Sequence, residues 1–472
     1  MNHAGRAAVG GADRADVVVV GGGMAGLTAA HTLTRHGLRP VVLEAGDDVG
    51  GLVTAGTVGG LEIDLGAEAF ALRRPEVADL ARGLGLAVEQ PAGGSWVWSP
   101  GGAVPVPPES ILGIPGRPDA PEVVRVLGPA GAARAAQDAG LDPAVGADAP
   151  DLAALVRARM GEAVLARLVG PIAGGIHNAD PADLAVDSVA PGLLAALARH
   201  GSLAAAVRAL RTAAPPGAAV ATTVGGLFRL PRALTAAVVA AGGQVRTGTP
   251  ATGLRPAGGA WEVTAGDAVL RTDRVVVATP GPAALTLLGD AVDVTDVHLP
   301  AGSTITHVTL VVRAPALDAA PRGAGLLVPA GGGVRAKALT HASAKWPWLA
   351  AATGPGTHVL RVSYGRPGEP TDDVDTPLAL RDAAVLLGVA LGPKSLVDAR
   401  VVRRAGILAA ATPDHVAQVA RLVRRVRRLG GLDVTGAWVA GTGLAAVVAH
   451  AQQVAAPADG GDGGDAPRRA TA

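Results

Sequence analysis

"VVVVGGGMAGLTAA", Val17 to Ala30, is the stretch whose reading decides the fold. Four valines make an apolar run of strand length, three glycines interrupt it, and Met24 resumes with small residues at helical spacing. Gly21, Gly23 and Gly26 stand at G-x-G-x-x-G spacing between that strand and that helix. In such a turn the first glycine permits the tight bend, the second lets a pyrophosphate reach the backbone, and the third lets helix pack on strand. Unpaired N–H groups and the positive end of the helix dipole then face the phosphates. Gly37 ends the helix and a second strand, "RPVVLEA" (39–45), follows at once, completing a β-α-β unit. Glu44 ends that strand 18 residues after Gly26. An acidic side chain there accepts both hydroxyls of an adenosine ribose and repels a 2′-phosphate. The motif therefore nominates Gly21, Gly22, Gly23, Met24, Ala25, Gly26 and Glu44 as nucleotide contacts.

The bulk numbers set the frame around this motif. The 472 residues are too many for one small core, and 49% hydrophobic against 17% charged residues supplies material for a large one. Cysteine is absent, which removes disulfides, iron–sulfur clusters and thiol catalysis and fits a reducing cytoplasm. The N-terminal "MNHAGRAAVGGADRAD" has no apolar stretch behind its basic residues, so no signal peptide is expected. No window of about 18 residues stays apolar without charges, so no integral membrane segment is expected. A net charge of +1 gives no pull towards nucleic acid, and "RLVRRVRRLGG" (421–431) reads as a solvated helix face. The histidines show no metal-ligand spacing; His31 and His36, on one helix, are expected to face solvent, and no metal site is expected.

Along the chain, Glu76 to Leu210 turns Ala-rich with helical spacing, interrupted by the Pro-rich loop "AVPVPPESILGIPGRPDAP". Strand signals return at "GGQVRTGTPATGL", "WEVTAGDAVLRT" and "DRVVVATP", then at "STITHVTLVVRA" and "HVLRVSYGR". In the last of these Leu360, Val362 and Tyr364 alternate with Arg361 and Ser363, the mark of an antiparallel sheet with two unlike faces. "VTGAWVAGTGLAAVVAHAQQVA" repeats the strand, Gly-rich turn, helix pattern of the opening. The fold class is α/β: a discontinuous Rossmann-type domain, an inserted helical domain, and a mixed α+β substrate domain on an antiparallel sheet. The expected segments are a disordered leader (1–13), three nucleotide-binding parts (14–78, 211–290, 432–456), the helical insert (79–210), the substrate domain (291–431) and a disordered tail (457–472).

After Glu44, "EAGDDVGGLVTAGTVGGLEIDLGAEAF" carries a second glycine pair, a strand and another turn at Gly66. Here the sequence resembles the flavin-dependent amine oxidase and protoporphyrinogen oxidase superfamily, and the resemblance implies FAD. "DLGAEAFALRRPEVADLARGLGL", "LVGPIAGGIHNADPADLAV", "GGLFRLPRALTAAV", "VVVATPGPAALTLL" and "GLLVPAGGGVRAKALTHASAKWPWL" followed by "VLRVSYGR" resemble the bacterial protoporphyrinogen and coproporphyrinogen III oxidases, in the family's order. The resemblance adds Ala45, Gly50 and Gly51 near the pyrophosphate and Val245 near the adenine. It sets Gly66, Ala67, Glu68 and Ala69 along the ribityl side, and Gly441, Gly443, Leu444 and Ala445 at the pyrimidine edge. Arg74 falls where the family places a basic side chain for a substrate propionate, and Gly174, Gly175 and Ile176 match a strand bordering the porphyrinogen pocket.

The implied activity is oxidation of a porphyrinogen to a porphyrin in haem biosynthesis, by three two-electron rounds with molecular oxygen as acceptor. The resemblance to the soluble bacterial members, together with Arg73 and Arg74, which could both meet propionates, favours coproporphyrinogen III over protoporphyrinogen IX; no catalytic base is named and the oligomeric state is not readable. The sequence departs from the family at Gly46, where an arginine is usual, at His450 and Ala451, where Ser and Gly are usual, in "RRAGILAAATPDHV", which lacks an Arg-Trp pair, and in "IHNADP", where an aromatic and a glycine are replaced. A flavin amine oxidase, a carotenoid-type desaturase and a non-catalytic tetrapyrrole carrier stay open as alternatives. The first is disfavoured by the single tyrosine, Tyr364, and by a strand "STITHVTLVVR" without lysine.

Overall fold

A computed structural model describes residues 13–99, 102–177, 179–211, 220–299, 302–407, 413–441 and 443–457. Apart from Asp13 and Pro457, the expected disordered leader and tail lie outside the described residues. The chain forms two compact units. One comprises Met1–Leu52, Pro231–Val297 and Ala417–Ala472, and the other Val53–Leu230 and His298–Val416.

In the first unit the four valines become the middle strand, Val17–Val20, of a five-stranded sheet. The order is Gln244–Arg246, Pro40–Leu43, Val17–Val20, Val275–Val277, Leu432–Val434, and every pairing is parallel. Parallel strands need helices on their faces, which is why these runs are apolar without alternation. Met24–Arg35 and Leu444–Ala455 share one core with Val17, Val19, Val42 and Val276. Because the strands run the same way, Gly21, Glu44, Ala278 and Thr435 all follow carboxyl ends at one edge of the sheet, where open α/β sheets bind ligands. A meander of Ala251–Ala257, Ala260–Ala265 and Ala268–Thr272 completes the unit, with Asp13–Arg14 paired in parallel on its edge. Residues 421–428 of the Arg-rich segment lie in the helix Pro413–Arg428, where Arg425 pairs with Asp296 at 2.5 Å. His36 is exposed as expected, but His31 is half-buried, since it lies three residues after the buried Thr28 and so shares its side of the helix.

The second unit is built on a seven-stranded sheet ordered Leu396–Ile407, Ser303–Arg313, Thr357–Tyr364, Ala338–His341, Gly325–Leu327, Ser95–Ser99, Gly102–Pro105. All neighbours are antiparallel except Gly325–Leu327 beside Ser95–Ser99. The two faces are unlike, as the alternation predicts: Val308, Leu310, Leu360, Val362 and Tyr364 share an apolar core. Both faces are nonetheless buried, since every residue from His358 to Tyr364 is covered. The stretch 88–115, read as part of a helical insert, instead carries short strands, and Val97 sits fully buried opposite Leu327. Helices begin at Pro121, and their core includes Leu152, Met160, Leu193 and Val207.

Candidate active site

Each glycine of the opening motif has its own reason in the first unit. Gly21 has φ 106, the left-handed side that glycine adopts without strain, and a Cβ there would sit 2.9 Å from the Ala278 backbone. A Cβ on Gly26 would collide with the Gly21 carbonyl oxygen, so helix and turn touch only because Gly26 has no side chain. A Cβ on Gly22 would stand 2.9 Å from the Glu44 Cβ. Gly23 is different: its only neighbour within 4 Å is the Gly51 Cα at 3.9 Å. The open space is over the one glycine that the motif assigns to the pyrophosphate.

Gly22 N–H donates to Glu44 Oε2 at 2.6 Å and Gly46 N–H donates to Glu44 Oε1 at 2.8 Å. Two backbone donors fix the half-buried carboxylate, and each oxygen keeps acceptor capacity for a ribose hydroxyl. Gly46, where the family has an arginine, thus contributes its N–H to orienting Glu44. Gly50 N–H donates to Gly22 O at 2.8 Å and bridges to Gly23, bringing the second glycine pair beside the first. Ala45 is exposed next to Glu44. Val245 pairs with Val42, and Glu44 N–H donates to Arg246 O at 2.9 Å, so Val245 borders the Glu44 strand. Gly443 caps the helix Leu444–Ala455, with Gly441 at φ 98 before it; Thr442 between them is outside the described residues. The departure at His450 is accommodated by Thr435, whose Oγ1 lies 2.9 Å from His450 Nδ1.

In the second unit, the turn Gly66–Ala69 is held from the polar face of the sheet. Arg361, only 7% exposed, donates from Nη1 to Gly66 O at 2.8 Å and from Nη2 to Asp64 O. Its Nη1 also lies 3.3 Å from Glu68 Oε2, and Lys345 Nζ lies 2.6 Å from Glu68 Oε1. Burial opposes the Glu68 charge, but the Lys345 and Arg361 cations overcome it and hold its carboxyl down at about 2. Asp64 goes the other way. Burial raises it to about 6, against the N–H groups of Leu227 and Phe228, which donate to its oxygens at 2.9 and 2.8 Å. His307, across the same sheet face with its Nδ1 2.9 Å from Ser363 Oγ, is driven down to about 3 by burial, with Arg361 and Lys337 adding to the effect.

Of these buried groups only Glu68 was singled out as a site residue from the sequence; Asp64, His307, Lys345 and Arg361 were not. The signal was present in the alternation of Arg361 with Leu360 and Val362, and in Lys345 as one of only three lysines. Two expectations need restating. Gly174, Gly175 and Ile176 lie in the helix Gly170–His177 and not in a strand. Gly175 is small because a Cβ there would press on the Leu327 side chain at 2.9 Å, while Ile176 is 58% exposed. Arg74 is exposed in the turn that enters the helix Glu76–Gly83.

A G-x-G-x-x-G turn with an acidic residue fixed at the end of the next strand, on a parallel sheet joined in sequence to an antiparallel one, has the form of a dinucleotide-binding oxidoreductase. The chain belongs to the flavin containing amine oxidoreductase family, whose profile matches residues 24–448. It is 31% identical over 447 residues to the coproporphyrinogen III oxidase of Mycobacterium leprae, covering 92% of this chain and 96% of that protein. To the coproporphyrinogen III oxidase of Mycobacterium tuberculosis it is 32% identical over 461 residues, covering 92% and 95%. A solved structure from Exiguobacterium sp. 255-15, provisionally assigned as a protoporphyrinogen oxidase, superposes with a TM-score of 0.80 at 24% identity, covering 94% of this chain and 98% of that one. The protein is an FAD-dependent oxidoreductase. Among the described residues no single helix is long and apolar enough to cross a membrane.

Proposed function

We propose that this protein oxidises coproporphyrinogen III to coproporphyrin III in haem biosynthesis, in the cytoplasm, with molecular oxygen as electron acceptor. The observation that carries this reading is the likeness, over nearly the whole of both chains, to relatives named coproporphyrinogen III oxidase. Three two-electron rounds remove six hydrogens from the macrocycle, and three molecules of oxygen leave as hydrogen peroxide. FAD, when bound, supplies the electron-accepting group. Gly21, Gly22, Gly23, Met24, Ala25, Gly26, Glu44, Ala45, Gly50 and Gly51 would hold its adenosine and pyrophosphate, with Val245 at the adenine. Gly66, Ala67, Glu68 and Ala69 would line the ribityl side, and Gly441, Gly443, Leu444 and Ala445 the pyrimidine edge, where a helix N-terminus favours negative charge.

The chain's own work is to orient and to exclude water. Arg361 and Lys345 keep Glu68 ionised and the Gly66 turn fixed, while His307 stays neutral. No side chain is assigned as a general base, since the substrate's protons leave through tautomerisation. Arg74 would meet a propionate, and the division into a cofactor-binding frame, helical insert and substrate domain belongs to the same proposal. The test is the ratio of kcat/KM for coproporphyrinogen III and protoporphyrinogen IX under air, with Arg74→Ala beside the wild type. Coproporphyrinogen carries four carboxylates against two, so the variant should lose more on it, up to about fivefold as for an exposed ion pair. Equal losses return Arg74 to a surface role, and a wild-type ratio favouring protoporphyrinogen overturns the substrate assignment.

A further inference from the structure

Behind the Asp64–Glu68 turn lies a cavity of about 20 Å³, lined by Asp64, Glu68, Thr309, Trp346, Trp348 and Arg361 among others. A cavity needs only about 10–15 Å³ to hold one water, provided the water finds two to four polar partners. The donors are there. Trp346 is 2% exposed, and its indole Nε1 is buried without an acceptor; the Trp348 Nε1 is in the same condition. The acceptors are there too, in the Asp64 and Glu68 carboxylates, whose oxygens each have capacity beyond the bonds already described.

Leaving an indole N–H buried with no partner, in a residue that lines one cavity with two carboxylates and a guanidinium, is a condition that proteins rarely tolerate. One molecule that accepts from the indole and donates to a carboxylate removes it. An apolar occupant would satisfy neither group.

We propose that this cavity is a binding site for a single ordered water, which links the Trp346 indole N–H to the Asp64 carboxylate and makes Asp64 a positioning residue for the Gly66–Ala69 turn. Asp64 sits at the junction: its carboxylate holds Leu227 and Phe228, and its carbonyl accepts from Arg361. When Asp64 is ionised the water donates to it, and when Asp64 is protonated it donates to the water, so the indole feels the change through one intermediary. The charged groups acting on Asp64 are Arg361 on Thr357–Tyr364 and Glu68 on the turn, and Glu68 in turn faces Lys345 on Ala342–Lys345 and His307 on Ser303–Arg313. Glu68 and His307 are both displaced away from the range in which Asp64 titrates, so they leave that window clear. This inference needs no statement about substrate and stands whether or not the proposed activity holds.

The experiment uses the full-length protein labelled with ¹⁵N-tryptophan, whose six indole signals are few enough to resolve. Trp346→Phe keeps an aromatic ring in place, removes the N–H and assigns the signal. The wild-type Trp346 indole should be protected from bulk exchange, show a cross-peak to a long-lived water, and shift with pH around a midpoint of about 6. In Asp64→Asn the pH-dependent shift should vanish while the water cross-peak stays. A wild-type indole without a water cross-peak overturns the site, and a signal that stays flat across that pH range overturns the link to Asp64. Both readings are made on the wild type, and if Trp346→Phe fails to fold the signal is assigned from the wild type's own cross-peaks between the indole and its neighbouring side chains, so that failure does not rescue the proposal.

Discussion

Glu44 offers the sharpest test of the nucleotide cradle. Its two carboxylate oxygens accept N–H groups from Gly22 at 2.6 Å and from Gly46 at 2.8 Å, and the same oxygens are assigned to the ribose. Glu44→Gln keeps the shape but turns one acceptor into a donor, so one N–H loses its partner and meets another N–H. A hydrogen bond to a charged group contributes about 1.5–3 kcal/mol, and the half-buried position of Glu44 puts the cost at the low end, about 1.5 kcal/mol. That is roughly a tenfold loss of FAD affinity. Glu44→Ala removes both acceptors and leaves nothing for the ribose hydroxyls, so a loss of about 3 kcal/mol, on the order of 150-fold, is expected. The assay is titration of apoprotein with FAD followed by flavin fluorescence, with thermal unfolding of each apoprotein run alongside to separate affinity from folding. If both variants bind FAD within about twofold of wild type, Glu44 is a strand-end residue that happens to be acidic, and the ribose assignment fails.

Gly23→Val should fold and melt near the wild type, since no protein atom within 3.9 Å obstructs a Cβ there, yet purify colourless; a yellow variant contradicts the pyrophosphate assignment. Arg361→Met should destabilise the protein by about 3–5 kcal/mol in denaturant unfolding, the cost of breaking a buried ion pair, with carbonyls of Asp64 and Gly66 left short of a donor. A loss under about 1 kcal/mol would show that Lys345 alone suffices. Asp64, raised to about 6, contributes stability that is fully present below its unfolded value near 3.8 and lost as pH rises through 6. Its shift of about two units corresponds to about 3 kcal/mol, so Asp64→Asn should flatten the unfolding free energy between pH 4 and 6; an unchanged slope places the proton elsewhere.

The cradle was legible because it is local: strand, turn, helix and second strand occupy consecutive residues from Val17 to Glu44, and Gly22 and Gly26 answer to contacts inside that span. The same held for the unlike faces of Thr357–Tyr364, since alternation is a property of neighbours. What was not legible depends on distance along the chain. Asp64, Glu68, His307, Lys345 and Arg361 meet only through the sheet's register, Thr309 opposite Arg361 and His307 opposite Ser363. An arginine between apolar residues reads as solvent-facing until the covering turn is in place. The strand expected at residues 174–176 is a helix for a third reason: an apolar, glycine-containing run shorter than ten residues suits a strand or a buried helix equally. Here the close approach of Gly175 to Leu327 goes with the helix.

The central claim is that a flavin bound by this chain takes electrons from a porphyrinogen. The direct measurement is to mix the purified yellow protein with coproporphyrinogen III without oxygen, record the flavin absorbance, and then admit air. The account predicts that the yellow colour bleaches, returns on aeration, and that coproporphyrin III fluorescence and hydrogen peroxide grow together at three peroxides per porphyrin. A flavin that stays oxidised in the presence of coproporphyrinogen, or that bleaches only with an amine, would contradict it.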